Sequence, residues 1–305
     1  MRALVIGGSG QVGGALMQAL RARGHEATGT YGQHPADGLA HLDILDATAV
    51  AHAIDAARPD WVLFPAGLTF VDYCEEHPDE AFAINRDAPL AAARLAAAIG
   101  ARFAFYSTEY VFDGERGPYA EDDVARPLSV YGHSKWEAER AILAEAPRAV
   151  VIRTTVVYGP DRQEKNFVYQ LIRNCRSGQP MRIPMDQVSS PTLNADLAHA
   201  TVELCERDLR GVYHLAGEGV LDRFAFAQLA CRTFGLDASN LTPVTTASLG
   251  QKAARPLKAG LHVGKARRVL ATPLRQAKTG LAAMRAVLDS ASAEPGPVDP
   301  PHRVR

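Results

Sequence analysis

Tyr131 and Lys135 stand four residues apart in the run Tyr131-Gly132-His133-Ser134-Lys135, a spacing that puts both side chains on one face of a helix. A phenol with its ordinary pKa near 10 is a poor acid–base catalyst at neutral pH. A lysine held beside it can lower that pKa through its positive charge and can also hydrogen-bond a ribose. Chance supplies this spacing in many helices, where the tyrosine packs and the lysine is solvated. Its position gives it weight. It follows the apolar run Phe103-Ala104-Phe105-Tyr106, which ends in Ser107-Thr108. The C-terminal ends of parallel strands form a ligand crevice, so a hydroxyl of Thr108 or Ser107 can meet a substrate carbonyl opposite Tyr131.

A second chemistry lies at the start of the chain. Gly7-Gly8-Ser9-Gly10-Gln11-Val12-Gly13 follows the apolar run Ala3 to Ile6 and opens a helical stretch. In such a turn Gly7 allows the tight bend, Gly10 lets the backbone approach a pyrophosphate, and Gly13 lets helix and strand pack closely. The free N–H groups of the helix start then meet phosphates. Set between a strand and a helix, the pattern reads as a dinucleotide site. The second strand ends in Thr30-Tyr31-Gly32, with neither an acid for a ribose 2′-hydroxyl nor an arginine for a 2′-phosphate. NADP and NAD both stay open as cofactors. Asp43-Ile44 suits the adenine edge, although Asp43 reads equally as a cap for the helix near Asp46.

The elements that must position these groups alternate along the chain. Strands are predicted over residues 3–6, 25–30, 61–65, 102–107 and 149–154, and helices over 11–23, 50–57, 81–99 and 128–145. Apolar strands each followed by a helix imply an α/β fold of the Rossmann type, a doubly wound parallel sheet covered on both faces. After Tyr158-Gly159-Pro160 segments shorten and prolines multiply. We expect an NAD(P)-binding domain over 1–158 to which later segments return, a mainly substrate-binding region over 159–289, and a disordered tail over 290–305.

Composition narrows the function classes. The 305 residues carry 33 basic and 34 acidic side chains, a net charge of −1, so nothing points to nucleic acid. Cys74, Cys175, Cys205 and Cys231 form no C-x-x-C and no cluster with histidine, and no metal site is expected. The N-terminus has no signal-peptide pattern, and no apolar run approaches the roughly 20 residues that span a bilayer. A cytoplasmic protein without a membrane partner is expected, and a homodimer is compatible with the chain.

Longer runs carry a resemblance. Ser107-Thr108-Glu109-Tyr110-Val111-Phe112-Asp113-Gly114 and Pro127-Leu128-Ser129-Val130-Tyr131-Gly132-His133-Ser134-Lys135 look like the dTDP-4-dehydrorhamnose reductase family of extended short-chain dehydrogenases/reductases. So do Thr69-Phe70-Val71-Asp72, Arg153-Thr154-Thr155, Lys165-Asn166-Phe167 and Arg255-Pro256, and the likeness spans about residues 1 to 285. It implies NAD(P)H-dependent reduction of a nucleotide-linked keto-sugar, foremost a dTDP-4-keto-6-deoxyhexose, with Thr108, Tyr131 and Lys135 catalytic. It implies cofactor contacts at Gly10, Gln11, Val12, Thr30, Asp43, Ile44, Ala66, Gly67, Leu68, Tyr106, Tyr131 and Lys135, beside Gly7 and Gly13 of the turn. On the substrate side it implies Thr108, Glu109, Tyr131 and Val156, with Thr69, Asn166 and Arg255 in the matching segments.

Departures fall on the sugar side. Glu109 stands where the family has aspartate, Val156 where it has a tryptophan, and Leu257-Lys258-Ala259-Gly260 replaces the usual residues after Arg-Pro. A sugar-nucleotide epimerase is a second reading, and Glu109-Tyr110 after Thr108 argues against a dehydratase. A third is a non-catalytic NADP-binding regulatory subunit, resembling the beta subunit of methionine adenosyltransferase.

Overall fold

The computed structural model describes residues 1–293. Six strands build most of the central sheet: β1 (Arg2–Val5), β2 (Glu26–Tyr31), β3 (Ala40–His41), β4 (Trp61–Phe64), β5 (Arg102–Thr108) and β6 (Val150–Thr154). The strand Gly211–His214 is the seventh, giving the order Gly211–His214, β6, β5, β4, β1, β2, β3. All neighbours run parallel. The order reverses between β1 and β4, and a crevice opens there at the carboxyl ends of the strands. The doubly wound Rossmann-type sheet expected from the alternation of elements is what forms.

Residues alternate between the two faces of each strand. Ala3, Val5, Leu63, Ala104 and Ile152 join one core, packed with helices α1 (Gln11–Ala22) and Asn194–Glu206. Leu4, Ile6, Phe64, Phe103 and Val151 join the other. That second core also takes residues from α2 (Ala47–Ala57), α5 (Ala88–Ala98) and α6 (Val130–Glu145). A third core unites Tyr158, Leu171, Ile183, Phe226, Leu281 and Met284 from the later part of the chain.

Several predicted bounds shift. The single helix expected over 81–99 is instead α4 (Pro78–Phe82), a π-helical segment Ala83–Asp87, and α5, preceded by the short α3 (Val71–Glu76). Pro89 has no N–H to offer the carbonyl of Asn85, which favours a widened turn at that point. The edge strand β3 was not expected. The helix Ala277–Ala293 carries regular structure past residue 290, and the rest of the expected tail lies outside the described residues. Among the described residues no helix is long and apolar enough to cross a membrane.

Candidate active site

The glycine turn is built by its own backbone. Gly7 has φ +98°, a region open to glycine. A Cβ on Gly13 would lie 2.0 Å from the Gly7 carbonyl oxygen, so the start of α1 packs on the turn only without a side chain. Buried Thr30 braces the turn: its carbonyl accepts from Gly8 N at 2.6 Å and its hydroxyl from Gly7 N at 3.3 Å. Gly10, the N-cap of α1, supplies no side-chain cap, whereas Asp46 caps α2 and Ser129 caps α6. The first N–H groups of α1 therefore have no side-chain acceptor from the cap, the arrangement a phosphate cradle needs. Gln11 Nε2 donates to the Val157 carbonyl at 3.2 Å, and Gln163 Nε2 to that of Ser9 at 3.2 Å, so chain beyond β6 touches the turn. Asp43 accepts from Leu45 N at 2.9 Å, and the cap of α2 falls to Asp46 instead.

The loop Ala66-Gly67-Leu68 leaves β4 and is pinned from behind. Asn85, in the π segment, accepts from Leu68 N at 2.9 Å and donates to Leu68 O at 3.0 Å and to Ser134 Oγ at 3.3 Å. Ser134 lies between Tyr131 and Lys135 on α6. A Cβ on Gly67 would stand 3.1 Å from Lys135 Nζ, so this loop and the lysine are neighbours.

Tyr131, Lys135 and Thr108 are buried together. Lys135 Nζ donates to the Tyr106 carbonyl at 3.1 Å and lies 4.7 Å from the centre of the Phe105 ring. Burial pulls the lysine pKa down to about 8, against the opposing charge of Glu139. Burial pushes the Tyr131 phenol above its ordinary value, and a hydrogen bond with Thr108 works against that. The phenol is thus raised, where spacing alone suggested a depression by Lys135; in this geometry the ammonium turns to the Tyr106 carbonyl. Tyr106 meets Lys135 through its main chain, since its own hydroxyl donates to Thr201 at 3.0 Å in the opposite core.

The residues expected on the sugar side are differently disposed. Glu109 accepts from Ser189 Oγ at 2.7 Å and Gly260 N at 2.9 Å, and burial raises its pKa. Val156 has φ +41°, uncommon for a β-branched residue and a place where strain is held. Asn166 caps the helix Phe167–Ser177 and donates to Gly159 O at 2.9 Å. Arg255 pairs with Asp72 at 3.0 Å, and Thr69 is exposed beside Phe70. Asn85 was not singled out from the sequence, and Pro89 four residues on was the available signal for it.

The chain matches the RmlD substrate binding domain over residues 1–290. It belongs to that family. Among relatives in the family, a dTDP-4-dehydrorhamnose reductase of Sinorhizobium fredii is 34% identical over 279 residues, 88% of this chain and 91% of that protein. The crystal structure of a dTDP-4-dehydrorhamnose reductase from Clostridium acetobutylicum superposes with a TM-score of 0.86 at 31% identity, covering 95% of this chain and all of the other. One from Bacillus anthracis, solved in complex with NADP, has the same TM-score at 27% identity, over 94% of this chain and 99% of that one.

Proposed function

We propose that this RmlD-family chain is a cytoplasmic, NAD(P)H-dependent reductase of a nucleotide-linked keto-sugar, of the dTDP-4-keto-6-deoxyhexose class named by its relatives. The observation that carries the reading is the joint burial of Thr108, Tyr131 and Lys135 at the strand ends, with Lys135 against the loop that faces an uncapped glycine turn.

The turn suits a dinucleotide because a Cβ would fill it at Gly13 and because the first N–H groups of α1 lack a side-chain cap. Gly7, Gly10, Gln11, Val12 and Gly13 would cradle the pyrophosphate. Thr30, Asp43 and Ile44 would face the adenosine, and Ala66, Gly67, Leu68 and the Tyr106 main chain the nicotinamide half. Bound NAD(P)H supplies the hydride. Thr108 polarises the substrate carbonyl by a hydrogen bond. Tyr131 donates the proton to the emerging alkoxide. Its raised pKa keeps the phenol protonated at neutral pH, the form that a reduction requires. Lys135, charged below about pH 8, stabilises the phenolate left behind until solvent returns the proton. Val156 and the region after 158, with Arg255, would face the sugar nucleotide, while Asn166 holds the start of its helix to Gly159.

A panel of dTDP- and UDP-linked 4-keto-sugars, assayed with NADH and with NADPH, tests the reading. Reduced nicotinamide should be consumed in step with product, and Tyr131→Phe should abolish the turnover. Product formed without net cofactor consumption would indicate an epimerase. Every activity surviving in Tyr131→Phe would leave a non-catalytic NADP-binding subunit as the better account.

A further inference from the structure

Cys175 and Cys231 are 56 residues apart in the chain, yet their sulfurs stand in contact at 3.7 Å. Cys175 is near the end of the helix Phe167–Ser177, and Cys231 near the end of the helix Arg223–Phe234. These two helices also meet at their starts, where the Arg223 guanidinium lies 4.2 Å from the centre of the Phe167 ring. The thiol contact is therefore a second point at which the same two helices touch. Both belong to the region after residue 158.

The two sulfurs are differently placed. Cys175 is half-buried, and its S–H donates to Asn240 Oδ1 at 3.5 Å. Asn240 is itself held in place by donating to the Asn174 carbonyl at 3.2 Å. Cys231 is buried, and burial first, with Cys175 beside it second, pushes its thiol up to about 12. Cys175 is thus the sulfur that a dissolved oxidant reaches, with Cys231 directly behind it. A disulfide holds its sulfurs at about 2.05 Å, so the pair must close by about 1.7 Å, a movement that side-chain rotation can supply. Cys74 and Cys205 are buried too, and neither has a second thiol beside it among the described residues.

We propose that Cys175 and Cys231 form a reversible disulfide on exposure to hydrogen peroxide, a covalent staple across the region after residue 158. The Cys175 sulfur attacks one peroxide oxygen, the O–O bond breaks, and a sulfenic acid and water result. The Cys231 sulfur then attacks the sulfenic sulfur. The S–S bond forms, the S–O bond breaks, and the hydroxyl leaves as water with the Cys231 proton. Two thiols give up two electrons and two hydrogens, and one peroxide becomes two waters. Cytosolic disulfides are usually transient and redox-responsive rather than permanent, and thiol exchange returns this one to its reduced form.

The bond acts on the fold in two ways. It joins residues 56 apart, which removes freedom from the unfolded chain and so stabilises the folded one. It also locks the two helices at their far ends, as the Arg223–Phe167 contact holds their starts. Oxidation that stops at the disulfide spares Cys175 the irreversible sulfinic state. The staple belongs to the helix pair and does not depend on which sugar the crevice accepts.

Mild treatment of the full chain with hydrogen peroxide tests this. The wild type should lose two of its four thiols and the mass of two hydrogens, and digestion should yield one peptide pair joined through Cys175 and Cys231. Its melting temperature should rise by about 4–8 °C, the scale of a typical disulfide. Dithiothreitol should reverse each of these changes. Cys175→Ser and Cys231→Ser should show neither the bridge nor the rise, and Cys231→Ser should hold a sulfenic acid at Cys175 that dimedone traps. Should the serine buried at position 231 prevent folding, Cys231→Ala takes its place. The proposal is overturned if the wild type keeps both thiols, or if Cys175 passes to sulfinic acid without a bridge. Chains joined to one another through Cys175, or a bridge that leaves the melting temperature unchanged, overturn it as well.

Discussion

Glu139 lies one helical turn beyond Lys135 on α6, and Arg153 from β6 holds both of its carboxylate oxygens at 2.7 to 3.1 Å. The pair is almost wholly buried, with side chains 3% and 1% exposed. Arg153 also donates to the Glu121 carbonyl at 3.2 Å. It thereby joins the helix that carries Tyr131 and Lys135 to the sheet and to the loop at Glu121.

Removing one partner of such a pair strands a buried charge. Glu139→Ala is expected to cost about 3–5 kcal/mol of folding stability, read from denaturant unfolding. Replacing both residues with apolar ones of similar volume should cost far less, because no unpaired charge remains. Equal losses in the single and double variants would contradict this account.

The pH dependence of reduction should be set by Lys135. Its pKa is depressed to about 8, so its charge is present below that value and is lost as pH rises through it. Tyr131 is shifted upward and keeps its proton over the same range. kcat/KM should therefore fall above about pH 8, and Lys135→Met should abolish that limb. The variant should also lose about 10² to 10⁴ in rate, the usual contribution of positioned proton-transfer groups. An alkaline limb unchanged in Lys135→Met would assign the titration to another group.

How much of this was legible in the sequence follows from the distances involved. The glycine turn and the Tyr131–Lys135 spacing are local patterns, set by one turn of chain, and both take the conformation their periodicity implied. The sheet was legible because each strand is a short apolar run with a helix behind it. What escaped depends on partners far along the chain. Glu109 looked like a free carboxylate for substrate, yet its partners Ser189 and Gly260 are 80 and 151 residues away. Asn85 reads as one polar residue in an alanine-rich helix until the fold brings Leu68 and Ser134 to it.

The packing of α1 on its turn yields a contrast between adjacent glycines. A Cβ at position 13 would meet backbone atoms of Gly7 and Gly8 at 2.0 and 2.8 Å, whereas one at position 14 would stand 3.7 Å from Gly8 O. Gly13→Ala must push the turn off the helix. It should lose about 1–3 kcal/mol of stability, as overpacking does, together with NADPH binding. Gly14→Ala lies inside a regular helix and should gain about 0.5–1 kcal/mol. Thermal melting with and without NADPH reads both, and matching behaviour of the two variants would refute the contrast.

His214 should make the protein sensitive to mild acid. It is fully buried beside the Arg153 guanidinium, whose Nη1 lies 3.4 Å from His214 Nε2, and burial first and that charge second lower its pKa to about 3. The unfolded chain takes up a proton at this residue once pH falls below about 6.5, while the folded protein does not until near 3. Stability contributed by the neutral imidazole is therefore lost progressively between those values, at up to about 1.4 kcal/mol per pH unit. His214→Gln removes the titrating group. Its melting temperature should fall less between pH 7 and pH 5 than that of the wild type, even if it starts lower. Parallel declines for the two proteins would mean that other groups govern the acid response.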